Sequence, residues 1–281
     1  MPRFTRLRTL LATLIAISAL LGLTIAPAAA VTDGSPDGDG HPYVGLMVAQ
    51  DEDGVPLWRC TGTLMNATTF LTAGHCTFGA AHVEIWFSAG PIPRATGYPS
   101  SNPENPCDGI TGYPCTGDVG GTPYTHPQYD EAAFYLYDLG VVVLDSPMPM
   151  AEYGALPELN QLDSLKPGPR SSFTSVGYGL QESFPDAASW KDVAIRERLV
   201  AHPHLLHINN AFVGDGSLLL SNNAHTGGTC FGDSGGPNFL GDSNVVAGVT
   251  SFGINPTCAG TGGVYRVDRA DDLEWLATFG L

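Results

Sequence analysis

The sequence predicts an all-β fold that ends in one short helix. The chain has 281 residues, including 35 glycines and 22 prolines, and this turn-rich composition argues against a helical bundle. Short apolar or alternating runs recur between turn signals, as expected for an antiparallel sandwich or barrel. A hydrophobic fraction of 43% with only 14% charged residues excludes a disordered chain.

The predicted strands are rich in valine, isoleucine and aromatic residues, which favour the β-conformation. They cover residues 43–49, 83–88, 140–144, 173–176, 193–200, 245–252 and 263–267. The predicted helix lies at the C-terminus, where Asp271 and Asp272 precede an apolar run and Gly280 follows it. Acidic residues stabilise the first turn of a helix and glycine favours its end.

Residues 1–30 have the pattern of a secretory signal peptide. Three arginines precede an apolar run at residues 10–26, and three alanines at 28–30 form a small-residue cleavage site. The run is short for a membrane span. We therefore expect a secreted, extracellular protein consisting of residues 31–281, with no membrane contact after the signal is removed.

Net charge and the cysteines narrow the possible partners. A net charge of −16 argues against nucleic acid or an anionic membrane, because either needs a basic face. Six cysteines follow the signal, and export favours disulfides over zinc, although the residues alone do not select the pairing. Acidic turns at 37–40 and 51–54 complete no calcium-binding pattern and are interpreted as solvated, so no metal is predicted.

The segment 90–127 differs from the rest of the chain. It is crowded with proline, glycine, serine and asparagine, and it contains Cys107 and Cys115. Long segments of this composition are surface loops or functional insertions. We predict a long surface insertion held by its own disulfide.

Three short motifs carry the chemistry: LTAGHC at residues 71–76, DLGVVV at 138–143 and GDSGGP at 232–237. A serine hydroxyl becomes a nucleophile when an imidazole takes its proton, and a carboxylate fixes the tautomer of that imidazole. Ser234, His75 and Asp138 are the candidates for these three roles. The glycines around Ser234 let the backbone approach a substrate closely and free N–H groups to bind an oxyanion.

Chain order separates the possible hydrolase types. Residues 232–236 also fit the G-x-S-x-G pattern, whose enzymes carry the histidine after the serine. The last histidine here is His225, which excludes an esterase or lipase of that type. An order with the acid first would need Asp51 or Asp53, and neither has a motif around it. The remaining order is histidine, aspartate, serine.

The mature chain resembles secreted serine endopeptidases of the trypsin/chymotrypsin family over nearly its whole length. Besides the three motifs, the matching segments are HPYV at 41–44, VGYG at 176–179, SFG at 251–253 and GVY at 263–265. The resemblance implies two packed six-stranded antiparallel β-barrels with the catalytic groups in the cleft between them. It implies hydrolysis of polypeptide substrates without a cofactor, and protein protease inhibitors as further partners. We expect a monomer.

The resemblance also implies roles for several other residues. It pairs Cys60 with Cys76 and Cys230 with Cys258, which leaves Cys107 for Cys115. It assigns the oxyanion hole to the N–H groups of Gly232 and Ser234. It further implies that Asp233 pairs with a new α-amino group, and cleavage after residue 30 would create that group at Val31. We hypothesise that removal of the signal itself activates the enzyme.

The specificity pocket is the part of the resemblance that suggests a substrate. The pocket residues implied are Gly228 at the floor, Thr229 beside it, Phe231 at the entrance, Ser251, Phe252 and Gly253 on the substrate-binding strand, and Gly263 on the wall. An uncharged floor predicts cleavage after large apolar or aromatic residues rather than after lysine or arginine. The alternative is a non-catalytic binding protein on the same scaffold, but no triad member is missing.

Overall fold

Two β-barrels make up most of the computed structural model, which describes residues 31–181, 195–209 and 214–281. The predicted signal peptide lies outside the described residues. A short strand, β1 (Ser35–Pro36), precedes the barrels. The first barrel consists of β2 (Val44–Gln50), β3 (Pro56–Leu64), β4 (Thr69–Thr72), β5 (His82–Trp86), β6 (Val119–Thr125) and β7 (Gly140–Leu144).

The first barrel closes in the order β2-β3-β4-β7-β6-β5, and every pairing is antiparallel. Its interior contains fully buried apolar side chains such as Leu46, Phe70, Ile85 and Val142. Because side chains alternate across a strand, the inward residues of six short strands fill one core.

The second barrel contains β8 (Gly168–Gly177), β9 (Leu199–Ala201), β10 (His204–Ile208), β11 (Ser217–Asn222), β12 (Pro237–Leu240), β13 (Val246–Gly253) and β14 (Gly260–Arg266). Six of these strands form a ring in the order β8-β10-β11-β14-β13-β12, which closes where β12 pairs with β8. Strands β9 and β1 extend the sheet from β8. The predicted all-β class with two six-stranded antiparallel barrels is therefore confirmed.

Two α-helices occur in the described residues: α1 (Gly74–Thr77) and α2 (Ala270–Ala277). Single 3-10 turns form at Glu131–Ala133 and Gln161–Ser164. Helix α2 is the predicted C-terminal helix, with Asp271 and Asp272 in its first turn. None of the described helices is both long enough and apolar enough to cross a membrane.

Two predictions, the surface insertion at 90–127 and the strand at 193–200, need correction. The segment 90–127 is not insertion throughout, because β6 is a strand of the closed barrel. The strand was missed because it contains glycines in place of the side chains that are typical of strands. A Cβ on Gly121 would lie 2.6 Å from Val142 Cγ1, so close packing excludes larger residues at this position. The predicted strand 193–200 was also too long. In its described part, Arg196 and Arg198 bond the loop at residues 89–92, and pairing with β8 begins at Leu199.

One carboxylate of the first acidic turn is not solvated, whereas Asp39 in the same turn is exposed as predicted. The side chain of Asp37 is 2% exposed and forms an ion pair with the buried Arg198 at 2.8 Å, and His41 Nδ1 lies 2.6 Å from its carboxylate. Burial alone would raise the pKa of Asp37, but the hydrogen bonds and charges of His41 and Arg198 lower it overall. The carboxylate therefore anchors the segment that precedes β2 to Arg198.

All six cysteines are paired as the resemblance implied. The disulfides join Cys60 to Cys76, Cys107 to Cys115 and Cys230 to Cys258. Two of these bridges flank the motifs that carry the chemistry.

Candidate active site

Strand pairing brings His75 and Asp138 together. Thr72 is the last residue of β4, and it pairs with Gly140, the first residue of β7. His75 follows in α1, while Asp138 lies two residues before β7, so both lie at one end of this strand pair. A Cβ on Gly140 would lie 2.5 Å from the carbonyl oxygen of Ala73, so this close approach requires glycine.

The carboxylate of Asp138 fixes the histidine ring. Asp138 is fully buried, and it accepts a 2.8 Å hydrogen bond from the backbone N–H of His75. His75 Nδ1 lies 2.9 Å from Asp138 Oδ2, and Ser251 Oγ donates to the same oxygen at 2.5 Å. A carboxylate can only accept these bonds, so Nδ1 carries the proton and Nε2 is left free to accept one.

Ser234 is held against both barrels. Its carbonyl oxygen accepts a 2.8 Å bond from the N–H of Thr61 in β3, and the N–H of Gly235 donates to Thr250 in β13 at 2.7 Å. Gly235 has a φ of +76°, a conformation that favours glycine. Within the described residues Ser234 Oγ makes no hydrogen bond, although Ser234 and His75 line the same cavity. Such contacts commonly tighten when substrate binds.

Two N–H groups beside Ser234 are free to bind an anion. The N–H of Asp233 donates to Cys230, and that of Gly235 donates to Thr250. Across the described part of the chain, the N–H groups of Gly232 and Ser234 have no acceptor. Gly232 has a φ of +100°, which orients this backbone in a way that other residues rarely adopt. These are the two donors predicted for the oxyanion hole.

Asp233 lies in a fully buried position behind the serine. Its carboxylate accepts backbone bonds from Gly179 at 2.7 Å and Cys230 at 2.8 Å. Burial raises the pKa of Asp233 to about 7, and the two backbone bonds and the charge of Arg59 only partly oppose this rise. No ion pair reaches Asp233 from any residue that the structure describes.

Residues 31 and 32 lie beside Gly228, the residue that the resemblance assigns to the pocket floor. Val31 is fully buried against Leu199 and Ala201. Thr32 pairs with Gly228, whose N–H donates to the Thr32 carbonyl oxygen at 3.0 Å. In the full chain the nitrogen of Val31 is a peptide amide, so it carries no charge to offer Asp233.

The larger cavity beside the serine has a volume of about 570 Å³. Five of the predicted pocket residues line it: Thr229, Phe231, Ser251, Phe252 and Gly253. Gly228 is not among them, and a Cβ on this glycine would lie 2.3 Å from Asn222 Cγ. The ring of Phe252 lies directly over Gly263, which is not among the residues that line the cavity.

Several cavity residues were missed by the sequence analysis. They come from the first barrel and the loop before β7, and they are Trp58, Phe78, Tyr129, Glu131 and Phe134. Phe78 and Phe134 are exposed aromatic residues close to the triad motifs in sequence. That proximity was the available signal, since large exposed apolar side chains mark binding surfaces when they cluster.

One cluster with the spacing of a metal site overlaps the active site. Within the described residues, Cys60, His75 and Cys76 bring their side-chain ligand atoms within 4.8 Å of one another. Both cysteines are disulfide-bonded, so neither can supply the thiolate that a metal ion needs. This cluster therefore does not fit a metal.

The family comparison agrees with this geometry. The family model described as Trypsin matches residues 34–273. The chain belongs to the trypsin family. Among curated trypsin-family relatives, Serine protease 7 of Drosophila melanogaster is 28% identical, over 85% of this chain and 61% of its own length. The chain thus spans about three-fifths of that relative.

Other relatives and solved structures give the same picture. The protein named Trypsin from Saccharopolyspora erythraea is 26% identical, with 80% of this chain and 87% of that relative covered. A solved HL collagenase structure is similar with a TM-score of 0.65 at 19% identity, covering 89% of this chain and 99% of the other. Human heparin binding protein is similar with a TM-score of 0.61 at 18% identity, covering 88% and 95%. At these identities the two structures establish the trypsin-family fold alone.

Proposed function

We propose that the protein is a secreted serine endopeptidase that uses His75, Asp138 and Ser234. The observation that carries this proposal is the buried Asp138 carboxylate, which accepts from His75 Nδ1 at 2.9 Å and leaves Nε2 free beside Ser234. A histidine held in this tautomer is a general base for a serine hydroxyl. No cofactor is required for this chemistry.

Each step can be assigned to a described group. Ser234 Oγ attacks the scissile carbonyl carbon while its proton passes to His75 Nε2. The N–H groups of Gly232 and Ser234 bind the resulting oxyanion. The C–N bond then breaks, His75 gives its proton to the departing amine, and an acyl group remains on Ser234. Water releases this acyl group by the same route, with His75 again acting as base.

The pocket favours cleavage after large apolar or aromatic residues. Thr229, Phe231 and Phe252 line the cavity, together with the Cys230–Cys258 disulfide. The one carboxylate among the described lining residues is Glu131, which comes from the loop before β7 rather than from the predicted floor. A buried lysine or arginine needs a paired carboxylate, so a cavity whose described lining has no carboxylate besides Glu131 disfavours basic residues.

The mature enzyme is proposed to begin at Val31 and to act outside the cell as a monomer. Signal removal after residue 30 would place a free amine in the buried segment beside Gly228. Polypeptides are the proposed substrates, and protein protease inhibitors are proposed to bind the same cleft.

A fluorophosphonate probe tests the catalytic assignment. The secreted protein should be labelled at Ser234, and S234A should lose both the label and peptide hydrolysis. R170Q is a matched surface control that should keep both, because Arg170 is exposed on β8 away from the cleft. A folded wild-type protein that neither reacts with the probe nor cleaves peptides would instead support the alternative, a non-catalytic binding protein on the same scaffold.

A further inference from the structure

A second cavity lies on the other side of Ser234. It has a volume of about 500 Å³ and shares four lining residues with the first cavity: Trp58, His75, Phe231 and Ser234. If the proposed function holds, a peptide must cross Ser234 in an extended form. The residues before the cut bond then occupy the first cavity, where the predicted pocket residues lie, so the residues after it enter the second.

The charged group in this second cavity is Arg59. This residue belongs to β3, one position before Cys60, and it is half-buried. Its Nε lies 3.1 Å from the point where a Cβ on Gly232 would stand, so the guanidinium lies against the proposed oxyanion loop. In the part of the chain that the structure describes, Arg59 has no hydrogen bond and no ion pair from its side chain.

The disulfide-held insertion contributes Tyr113 to the wall of the second cavity. This ring packs edge-on against Trp86 at 5.4 Å between centroids, and the guanidinium of Arg196 lies 4.5 Å from its centroid. The carbonyl oxygen of Cys115 accepts a buried 2.9 Å bond from Gln50 in β2. The wall is therefore anchored to the first barrel rather than carried on a free loop.

The charge of this cavity is opposite to that of the protein. The chain carries a net charge of −16, but no carboxylate occurs among the described residues that line the second cavity. A positive group in a partly enclosed cleft attracts anions more strongly than the same group in open solvent. Arg59 can also donate a charge-assisted hydrogen bond to a carboxylate.

We propose that this second cavity selects substrates with an acidic side chain in the first or second residue after the cut bond. Arg59 binds the carboxylate, and Tyr113 forms the wall that holds the peptide beside it. The insertion therefore contributes to substrate choice on the leaving-group side of the cleft. This inference rests on the proposed endopeptidase function.

Matched peptides test the inference. They share one sequence before the cut bond and carry glutamate, glutamine or lysine at the first or second position after it. For wild type, kcat/KM for the better glutamate peptide should exceed that for its glutamine counterpart by about tenfold. That value is the lower end for a hydrogen bond to a charged group, because Arg59 is half-exposed. The preference should weaken as salt is raised.

Variants of Arg59 separate a direct role from a general loss of activity. R59Q should reduce the glutamate-to-glutamine ratio to about one, R59K should retain part of it, and R59E should invert it in favour of lysine. R170Q removes one positive charge elsewhere and should leave the ratio unchanged. A misfolded variant cannot reverse a preference, so the inversion by R59E is the informative result.

The two proposals fail in different ways. If wild type cleaves the glutamine peptide but shows no glutamate preference, the inference is overturned while the endopeptidase function stands. The inference also fails if R59Q keeps the full ratio. If no peptide is cleaved and the probe does not label Ser234, the proposed function fails and the inference fails with it.

Discussion

Asp233 allows a quantitative test of how the mature N-terminus activates the protein. The test compares two forms of the chain, one starting at Val31 and one starting at Ala28, both carrying S234A to prevent self-digestion. In the full chain the buried carboxylate has two backbone donors and no ion pair among the described residues. A free amine at Val31 is proposed to supply the missing partner, whereas an amine three residues earlier would not reach it.

The expected size follows from the pKa of Asp233. Burial raises that pKa from 3.8 to about 7, so without an amine the folded protein binds this proton more tightly than the unfolded chain does. The contribution of Asp233 to the free energy of unfolding is therefore fully present below pH 4, and it declines as the pH rises to 7. This interval corresponds to as much as about 4 kcal/mol of unfolding free energy. Pairing with an amine lowers the pKa again and removes most of the decline.

Denaturant unfolding at pH 4, 5.5 and 7.5 measures the difference. The form starting at Ala28 should lose up to about 4 kcal/mol across this range relative to the form starting at Val31. The titrating side chains are common to both forms and cancel in the comparison, and the α-amine of either form stays mostly protonated up to pH 7.5. D233N in the Ala28 form should flatten its profile. Equal pH profiles for the two forms, within about 1 kcal/mol, would refute the pairing.

Three further substitutions test the site and the fold. D138N should lower kcat on a peptide ester by a factor of about 10⁴, because the asparagine amide no longer holds His75 in the required tautomer. A loss of less than tenfold would contradict this role of Asp138. Y265F removes the hydroxyl that donates to buried Asp272, whose pKa is raised to about 8 by burial. This loss should lower the free energy of unfolding in urea by about 1–3 kcal/mol. An unchanged unfolding midpoint would count against a stabilising role for this hydrogen bond. G177A would place a methyl group against the carboxylate of Asp233 and should destabilise the fold by about 1–3 kcal/mol. A variant as stable as wild type would be inconsistent with this packing.

The candidate triad could be identified from short motifs because each role requires a particular local setting. His75 needs a close-packed turn next to a disulfide, and Ser234 needs glycines that free its neighbouring N–H groups. Each setting is encoded by six consecutive residues, 71–76 for His75 and 232–237 for Ser234. The limits of the insertion could not be identified in this way. In β6, glycines replace the branched residues that mark a strand, because Val142 of the neighbouring strand occupies the space.

The residues that line the pocket and the second cavity could not all be predicted from the sequence either. The resemblance assigned Gly228 to the floor, whereas in the structure this glycine packs against Asn222 and is not among the residues that line the cavity. Arg59 had no motif of its own apart from its place beside Cys60. Its position against Gly232 arises because β3 contacts the loop that carries Ser234 through Thr61.

By itself, the amino-acid sequence determined the β-class, the C-terminal helix and the identity of the candidate catalytic groups, because these depend on composition, capping and contiguous motifs. The tertiary structure alone decided which distant residues share a cavity. Closure of each barrel fixes the strand neighbours, and the backbone bonds of Ser234 and Gly235 to Thr61 and Thr250 dock the nucleophile between the barrels. Separation along the chain carries no information about such distances, since they depend on register and on side-chain packing across two cores.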